Sequence, residues 1–156
     1  MTEIEITRLA KTIADSIKSD SITLKDANKL ISAVMKKAEE MGVKAVVAVA
    51  DRHSNPISIQ CMDDAYIASY DIALNKAYTV TALKMPTSDL KVLAAPGGSL
   101  YGIQFTNDGK IVIFGGGVPL YDKLGRIVGG LGVSGGSEEQ DTVLAEFGGN
   151  LYKSGI

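Results

Sequence analysis

His53 is the only histidine in the chain, and it lies in a polar turn sequence between two short apolar segments. Imidazole is a good iron ligand, and it is the side chain whose ordinary pKa lies nearest neutrality. The sequence therefore leaves two interpretations of His53 open, a solvated turn residue or a metal ligand in a binding site.

Two other groups of reactive side chains have simpler interpretations. Asp63 and Asp64 are adjacent, so their carboxylates diverge, and we predict that they serve a turn and a helix N-cap. Cys61 is the only cysteine, which excludes an intramolecular disulfide and agrees with a reducing compartment; we predict a half-buried strand residue. One cysteine and one histidine are too few for a structural zinc site, which needs about four such ligands.

Two glycine-rich motifs match catalytic or cofactor-binding patterns without their usual context. Residues 130–135 fit the dinucleotide fingerprint, but the chain ends at Ile156 before the further strand of that fold could form. Residues 132–136 fit the nucleophile elbow of α/β-hydrolases, but His53 precedes Ser134, whereas that fold places the histidine after the serine. We therefore expect neither a nicotinamide site nor a Ser-His-Asp triad.

Hydrophobic periodicity predicts the elements that must position these residues in the first half of the chain. Residues 7–18 have a narrow apolar stripe typical of a helix, and residues 23–41 have a stronger one with Thr23 as N-cap. Segments 43–50 and 57–62 are predicted to form an antiparallel hairpin around the turn that holds His53. Residues 65–84 are predicted to form a long helix that Pro86 closes.

The second half has most of the 17 glycines and a pattern dominated by short strands. Thr87 and Ser88 are predicted to cap a short helix, and strands are expected at 100–105, 111–114, 118–121 and 126–133. We expect a hairpin turn at 107–109 and a final helix that Ser137 caps, extending to about residue 147. Hairpin connections predict an antiparallel sheet in a single α+β domain that covers residues 1–156.

Charge and hydropathy exclude several partners. The chain has 18 acidic and 16 basic side chains, so we expect no binding to nucleic acid or to an anionic membrane surface. The longest apolar stretch, 43–50, is far shorter than the roughly 20 residues that span a bilayer. The amino terminus lacks the basic start and apolar run of a secretory signal, so we predict a cytoplasmic protein.

Several segments together resemble the GlcG/HbpS family, which also occurs as the carboxy-terminal domain of PduO-type proteins. The resemblance covers roughly residues 22–145, and two glycine blocks at a fixed separation make it specific. The matching segments are 23–27, 46–51, 62–63, 76–77, 86–87, 114–120 and 128–136.

The resemblance implies a profilin-like fold, in which helices flank a five-stranded antiparallel sheet, and assembly into homo-oligomers. Some members of the family bind haem or a related tetrapyrrole, and haem degradation is attached to the family by name. The matched positions imply a set of cofactor-binding residues: Lys76, Pro86, Thr87, Gly115, Gly116 and Gly117. Relatives often carry Asp-Ala-Gly-Gly-His in the first hairpin, whereas this chain has Asp51-Arg52-His53-Ser54-Asn55, which displaces the candidate metal ligand His53 toward the turn.

Three functional hypotheses follow from the residues and the resemblance. The first is a haem- or tetrapyrrole-binding protein, accessory to cobalamin-dependent diol or glycolate metabolism, for which a corrinoid is the alternative ligand. The second is an enzyme that degrades haem or acts on a small metabolite, and the third is a structural homo-oligomer with no cofactor. Whether the chain is an enzyme stays open, because no catalytic constellation is apparent in the sequence.

Overall fold

A computed structural model describes residues 1–17 and 20–156. The described chain has two short 3-10 turns (Ile103–Phe105, Asn107–Gly109) and the following helices and strands in chain order. They are α1 (Glu3–Ile17), α2 (Leu24–Glu40), β1 (Val46–Asp51), β2 (Pro56–Cys61), α3 (Ile67–Ala82), α4 (Thr87–Ala94), β3 (Gly117–Tyr121), β4 (Ile127–Ser134) and α5 (Glu138–Ser154).

The four strands that the structure describes form one antiparallel sheet in the order β2-β1-β4-β3. The central pair runs from Val46 opposite Ser134 to Asp51 opposite Gly129. The mixed α+β class, the antiparallel sheet and the β1–β2 hairpin are confirmed. The expected five strands are not, because segments 100–105 and 111–114 contain no strand.

The outer edge of β3, which has no strand partner in the described residues, lies against α4. The amide of Gly117 donates to the Thr87 hydroxyl at 2.9 Å, so a side chain takes the place of a strand partner. Two positions further along, Pro119 has no amide hydrogen to offer a neighbouring strand. Thr87 was expected to cap a helix, but Pro86 holds the N-cap position of α4 and the Thr87 side chain faces β3.

The predicted hairpin turn at 107–109 is also wrong. Asn107 and Asp108 have φ values of 52° and 54°, and residues 107–109 form a short 3-10 turn. Just beyond, the amide of Val112 donates to the Thr79 hydroxyl at 3.0 Å. This part of the chain therefore packs along α3 instead of entering the sheet.

Helix ends follow the capping residues that the sequence offers. The Thr23 hydroxyl accepts from the amide of Asp26 at 3.1 Å, which confirms it as N-cap of α2. Ser137 and Gln140 form a reciprocal capping box at the start of α5, which continues beyond the predicted residue 147. Asp64 lies in a turn with φ 65°, but Tyr66, not either aspartate, is the N-cap of α3.

Helices cover both faces of the sheet. On one face, α2 and α5 contribute Leu30, Val34 and Leu144 to a core with alternate residues of β1 and β4. On the other face, Ala73 and Ala77 of α3 pack against the remaining residues of β1. Side chains of β1 point alternately to the two faces of the sheet, and both faces are covered by helices. This explains why the sequence of β1 is almost continuously apolar.

Glycines in β4 allow α3 to lie directly against the strand. A Cβ at Gly132 would overlap the carbonyl oxygen of Ala73, and one at Gly130 would lie 2.5 Å from the carbonyl oxygen of Ala77. No other residue type permits this approach of helix backbone to strand backbone.

Helix α1 contributes little to this core. Its apolar residues Ile6, Leu9 and Ile13 follow helical spacing, but each is 48–50% exposed. The helix starts at Glu3, four residues before the predicted position, and its predicted end at residue 18 lies outside the described residues.

Candidate functional site

The turn between β1 and β2 fixes the backbone that carries His53. One oxygen of the Asp51 carboxylate accepts from the amides of His53 and Asn55 at 2.8 and 2.9 Å, and the other accepts from the Asn55 side chain at 3.1 Å. Partial burial opposes ionisation, but these hydrogen bonds lower the pKa of Asp51 below its ordinary value. The aspartate is thereby an anionic anchor, and the imidazole of His53 is left exposed above the turn.

His53 borders a groove of about 330 Å³ between this turn and α3, which we call the His53 groove. Leu74 and Tyr78 of α3 supply apolar and aromatic surface, and Lys110 contributes a cation. The ammonium of Lys110 lies 5.3 Å from the centroid of the Tyr78 ring, and the Tyr78 hydroxyl donates to Asn107 Oδ1 at 3.0 Å. The remaining lining residues are Ser54, Asn55, Pro56 and Asn75.

These residue types suit a flat, anionic ring that contains iron. Imidazole can ligate the metal, an aromatic ring and a leucine can contact the face of the ring, and an ammonium can pair with a carboxylate. A volume of 330 Å³ is at the lower end of the range for small-molecule sites, about 300–1,000 Å³. The His53 groove therefore fits part of such a ring.

A second cluster surrounds Lys76, whose side chain has no exposed surface. Its ammonium donates to the carbonyl of Val133 at 2.8 Å and to Asp141 Oδ2 at 3.3 Å, and it lies 4.9 Å from the centroid of the Phe114 ring. Burial lowers the pKa of Lys76 and raises the pKa of Asp141, in each case against the attraction of the partner charge. Every donor of this lysine faces protein atoms.

The glycine block next to Lys76 is shaped by the same cluster. Gly116 has φ 114°, and a Cβ there would lie 2.5 Å from the Lys76 ammonium. The Gly115 amide donates to Glu138 Oε1 at 2.9 Å, and the Gly117 amide donates to Thr87. Glycine at 116 is therefore required both by its backbone conformation and by its contact with Lys76.

The structure divides the predicted site residues between two places. Lys76, Thr87 and the three glycines lie together, and Pro86 adjoins them as N-cap of α4. His53 borders a groove that none of them lines. A cavity of about 260 Å³ adjoins the Lys76 cluster, with Ser69, Phe114, Ser134 and Asp141 among its lining residues.

Sequence reasoning missed four residues of these two places: Asp141, Phe114, Tyr78 and Lys110. Asp141 stands in the acidic first turn of α5, where a carboxylate is expected for the helix dipole alone, so no local signal distinguishes it. Tyr78 has the helical spacing of a core residue, and Lys110 follows a turn.

Ser134, the serine of the false elbow motif, ends β4 and donates to Ser69 Oγ at 3.0 Å. Cys61 ends β2 and is exposed, not half-buried.

In the described residues, a four-stranded antiparallel sheet lies between two helical layers, which defines a mixed α+β domain. Comparison with known proteins then gives its family. The family described as "Haem degrading protein HbpS-like" matches residues 22–149, and the chain belongs to this family.

Individual relatives support the assignment. An uncharacterized 15.0 kDa protein from the dhaT-dhaS intergenic region of Citrobacter freundii is 48% identical over 126 residues, which cover 81% of this chain and 88% of that protein. The corrinoid adenosyltransferase PduO of Salmonella typhimurium is 37% identical over 126 residues, but these cover only 37% of its length. A crystal structure of a PduOC:heme complex superposes with a TM-score of 0.79 at 36% identity, covering 83% of this chain and 94% of that one.

Membrane insertion through a helix has no support in the described residues. Among them, no helix combines the length and the apolar character needed to cross a bilayer.

Proposed function

We propose that this protein binds a haem-type tetrapyrrole in the His53 groove. The observation that carries the proposal is the meeting of His53, Tyr78 and Lys110 at one groove, although they come from a turn, a helix and a loop. The solved haem complex of a relative at 36% identity supports the choice of ligand. The family description supports it independently.

Each residue of the groove has a proposed role toward the ring. His53 ligates the iron, Leu74 and Tyr78 contact the ring face, and Lys110 pairs with a propionate. A bound haem would supply iron-centred ligand binding and electron transfer. Because the groove holds only part of a ring, we propose that a second copy of the chain covers the remainder in a homo-oligomer.

We assign the other predicted residues to the frame of the site. Lys76 and Thr87 are buried and already bonded within the protein, so their proposed part in binding is to fix α3, α4 and the 115–117 glycines. Pro86 starts α4 and thereby places Thr87.

We also propose a cellular setting. A role accessory to cobalamin-dependent diol metabolism, in the cytoplasm, is supported by the corrinoid adenosyltransferase named among the relatives. The same relative makes a corrinoid the alternative ligand. A glycolate-linked role remains the second setting.

Titration with haemin under visible spectroscopy tests the ligand and its site. Wild-type protein at micromolar concentration is expected to shift the Soret band, and His53→Ala is expected to bind at least about tenfold more weakly or with a changed spectrum. Cys61→Ala is the matched control, because a thiolate is also a strong iron ligand and Cys61 lies outside the groove. No Soret shift with wild type, or an unchanged spectrum in His53→Ala, would contradict the proposal.

Three further measurements separate the alternatives. Loss of the Soret band with release of iron, after a reductant is added to the complex, would show the haem-degrading enzyme instead of a binding protein. Cobalamin in place of haemin, followed by its own absorbance, tests the corrinoid alternative. Light scattering with and without haemin measures whether assembly needs the ligand.

A further inference from the structure

A further concave site lies beside the β1–β2 turn. It has a volume of about 260 Å³, and Arg52, Lys84 and Arg126 line it with Thr81 and Ile127. We call it the cationic pocket. Its three cations come from separate segments, namely the β1–β2 turn, the residues just after α3 and the β3–β4 turn, so no local sequence pattern explains their convergence.

Carboxylates outside the lining hold the two arginines in place. Arg52 Nη1 lies 2.6 Å from Asp20 Oδ2, and Arg126 Nε lies 2.7 Å from Asp122 Oδ2. Asp122 also accepts from the amides of Leu124 and Arg126 at 2.9 Å each, which fixes its position. A guanidinium has five N–H donors, so one bond to an aspartate leaves most of them available to a ligand.

Lys84 is different, because its ammonium makes no hydrogen bond or ion pair with any residue that the structure describes. Its backbone has φ 57°, directly after Leu83, the C-cap of α3. Glycine or asparagine normally occupies this left-handed position after a helix, since a side chain there is strained. A lysine held in an unfavourable conformation beside two arginines points to a use for its side chain.

The lining residues and their ion-pair partners carry one more positive than negative charge, because three cations lie against the two aspartates that anchor the arginines. This excess is local, because the whole chain has a net charge of -2. Thr81 of the lining is buried, and its hydroxyl lies 2.6 Å from the Ser54 hydroxyl of the turn that carries His53. The pocket is thus a defined concavity attached to a rigid turn.

We propose that the cationic pocket binds an oxyanion, the phosphate or carboxylate group of a small molecule. Guanidinium groups match the planar spacing of two oxygen acceptors, and an ammonium adds a point charge. The oxyanion has two sources that share this chemistry, a free phosphorylated compound or a carboxylate of a ring held in the neighbouring His53 groove. The pocket shares no lining residue with that groove, so the inference does not depend on haem binding.

Inorganic phosphate at constant ionic strength is the first probe, with thermal unfolding and calorimetry as readouts. Phosphate is expected to stabilise wild type, and Lys84→Gly and Lys84→Gln are expected to weaken its binding by about tenfold. Lys84→Gly relieves the strain at φ 57°, so its melting temperature without phosphate should equal or exceed that of wild type. Lys29→Gln, which removes an exposed cation of α2 that does not line the pocket, is the matched control and should bind phosphate normally.

Haemin and its dimethyl ester are the second pair of probes, and they distinguish the sources. If a ring carboxylate occupies the pocket, esterification and Lys84→Gly each weaken haemin binding and the two losses do not add. If a free phosphate compound is the occupant, Lys84→Gly weakens phosphate binding alone.

Two results would overturn the proposal. One is that phosphate fails to bind wild type while Lys84→Gly leaves haemin affinity unchanged. The other is that Lys29→Gln and Lys84→Gln weaken phosphate binding equally, because this would show only general charge attraction. Phosphate binding with no haemin binding would refute the haem proposal and support this one.

Discussion

The ammonium of Lys76 lies 3.3 Å from the carboxylate of Asp141, and neither group is open to solvent. Lys76 belongs to α3 and Asp141 to α5, which cover opposite faces of the sheet. The ammonium also donates to Val133 of β4, so one side chain joins two helices and the strand between them. The Asp141 carboxylate accepts from the amide of Gly136 at 2.8 Å, which extends the connection to the turn before α5.

Removal of either partner of this pair should be strongly destabilising. Lys76→Met or Asp141→Asn leaves one buried charge without its partner, and each is expected to lose about 3–5 kcal/mol in the free energy of unfolding. The double variant Lys76→Met/Asp141→Leu, with no buried charge, should lose much less than the sum of the single variants. Urea unfolding measures all of them, and additive losses would show that the two groups do not depend on each other.

The same pair should make stability depend on pH in a defined way. Burial raises the pKa of Asp141 above its ordinary 3.8. Between 3.8 and the raised pKa, the native state binds more protons than the unfolded state, so stability falls as pH rises. Burial lowers the pKa of Lys76 below its ordinary 10.5. Between the lowered pKa and 10.5, the unfolded state binds more protons than the native state, so stability rises with pH. Unfolding free energies from about pH 4 to about pH 10 should show both slopes in wild type and a flatter curve in the uncharged double variant. If stability depended on pH in the same way in wild type and in the double variant, burial of this pair would not be the cause of the pH dependence.

The contact between α3 and β4 should not tolerate a methyl group. Gly132→Ala would place its Cβ against the carbonyl of Ala73, and we expect a loss of about 1–3 kcal/mol in the free energy of unfolding. Gly149→Ala in α5 is the control, because its Cβ would meet only the side chain of Val118, with Cγ2 at 3.1 Å, and because alanine favours helix. Equal effects of the two substitutions in chemical denaturation would argue against a close backbone contact at Gly132.

The hydroxyl of Thr87 should be needed for stability, because the buried Gly117 amide donates to it. Thr87→Val keeps the shape but leaves the buried Gly117 amide without an acceptor, at a cost of about 1–3 kcal/mol. Thr142→Val removes a hydroxyl that donates to Glu138 O in its own helix, and should cost less. Hydrogen exchange of the Gly117 amide is the direct measurement. Unchanged protection in Thr87→Val would mean that another group satisfies that amide.

Helix α1 should be dispensable for the stability of the domain. Its apolar stripe is half exposed, so deletion of residues 1–17 should change the free energy of unfolding by less than about 0.5 kcal/mol. Denaturation of the truncated chain with urea provides the measurement. A large loss would show that α1 packs on the domain in solution.

Much of the fold was predictable because local signals and packing agree. Thr23, the apolar stripe of α2 and Gly42 mark one helix, and the turn at residues 51–55 marks the hairpin. One wrong prediction was a strand at 111–114, a run of apolar residues that has the composition of a strand. The amide of Val112 in this segment donates to the hydroxyl of Thr79 instead of to a neighbouring strand. No sequence pattern predicts that long-range hydrogen bond.

The candidate sites were less predictable for a related reason. His53 could be singled out by its chemistry, but Lys110 reaches the same groove through an irregular segment. Lys76 and Asp141 are 65 residues apart, and each has a local explanation that conceals the pair. Arg52, Lys84 and Arg126 meet only once the β1–β2 turn, α3 and the β3–β4 turn are packed together.

The closed side of β3 limits how copies of this protein can join. With Thr87 and Pro119 on that side, β2 is the remaining border of the sheet that the structure describes. A protein with one exposed sheet edge can pair with one identical copy through that edge, which gives a dimer. A protein with two exposed edges can add copies on both sides and form a fibre of any length. Thr87 and Pro119 together therefore limit strand-mediated association of this chain to a pair.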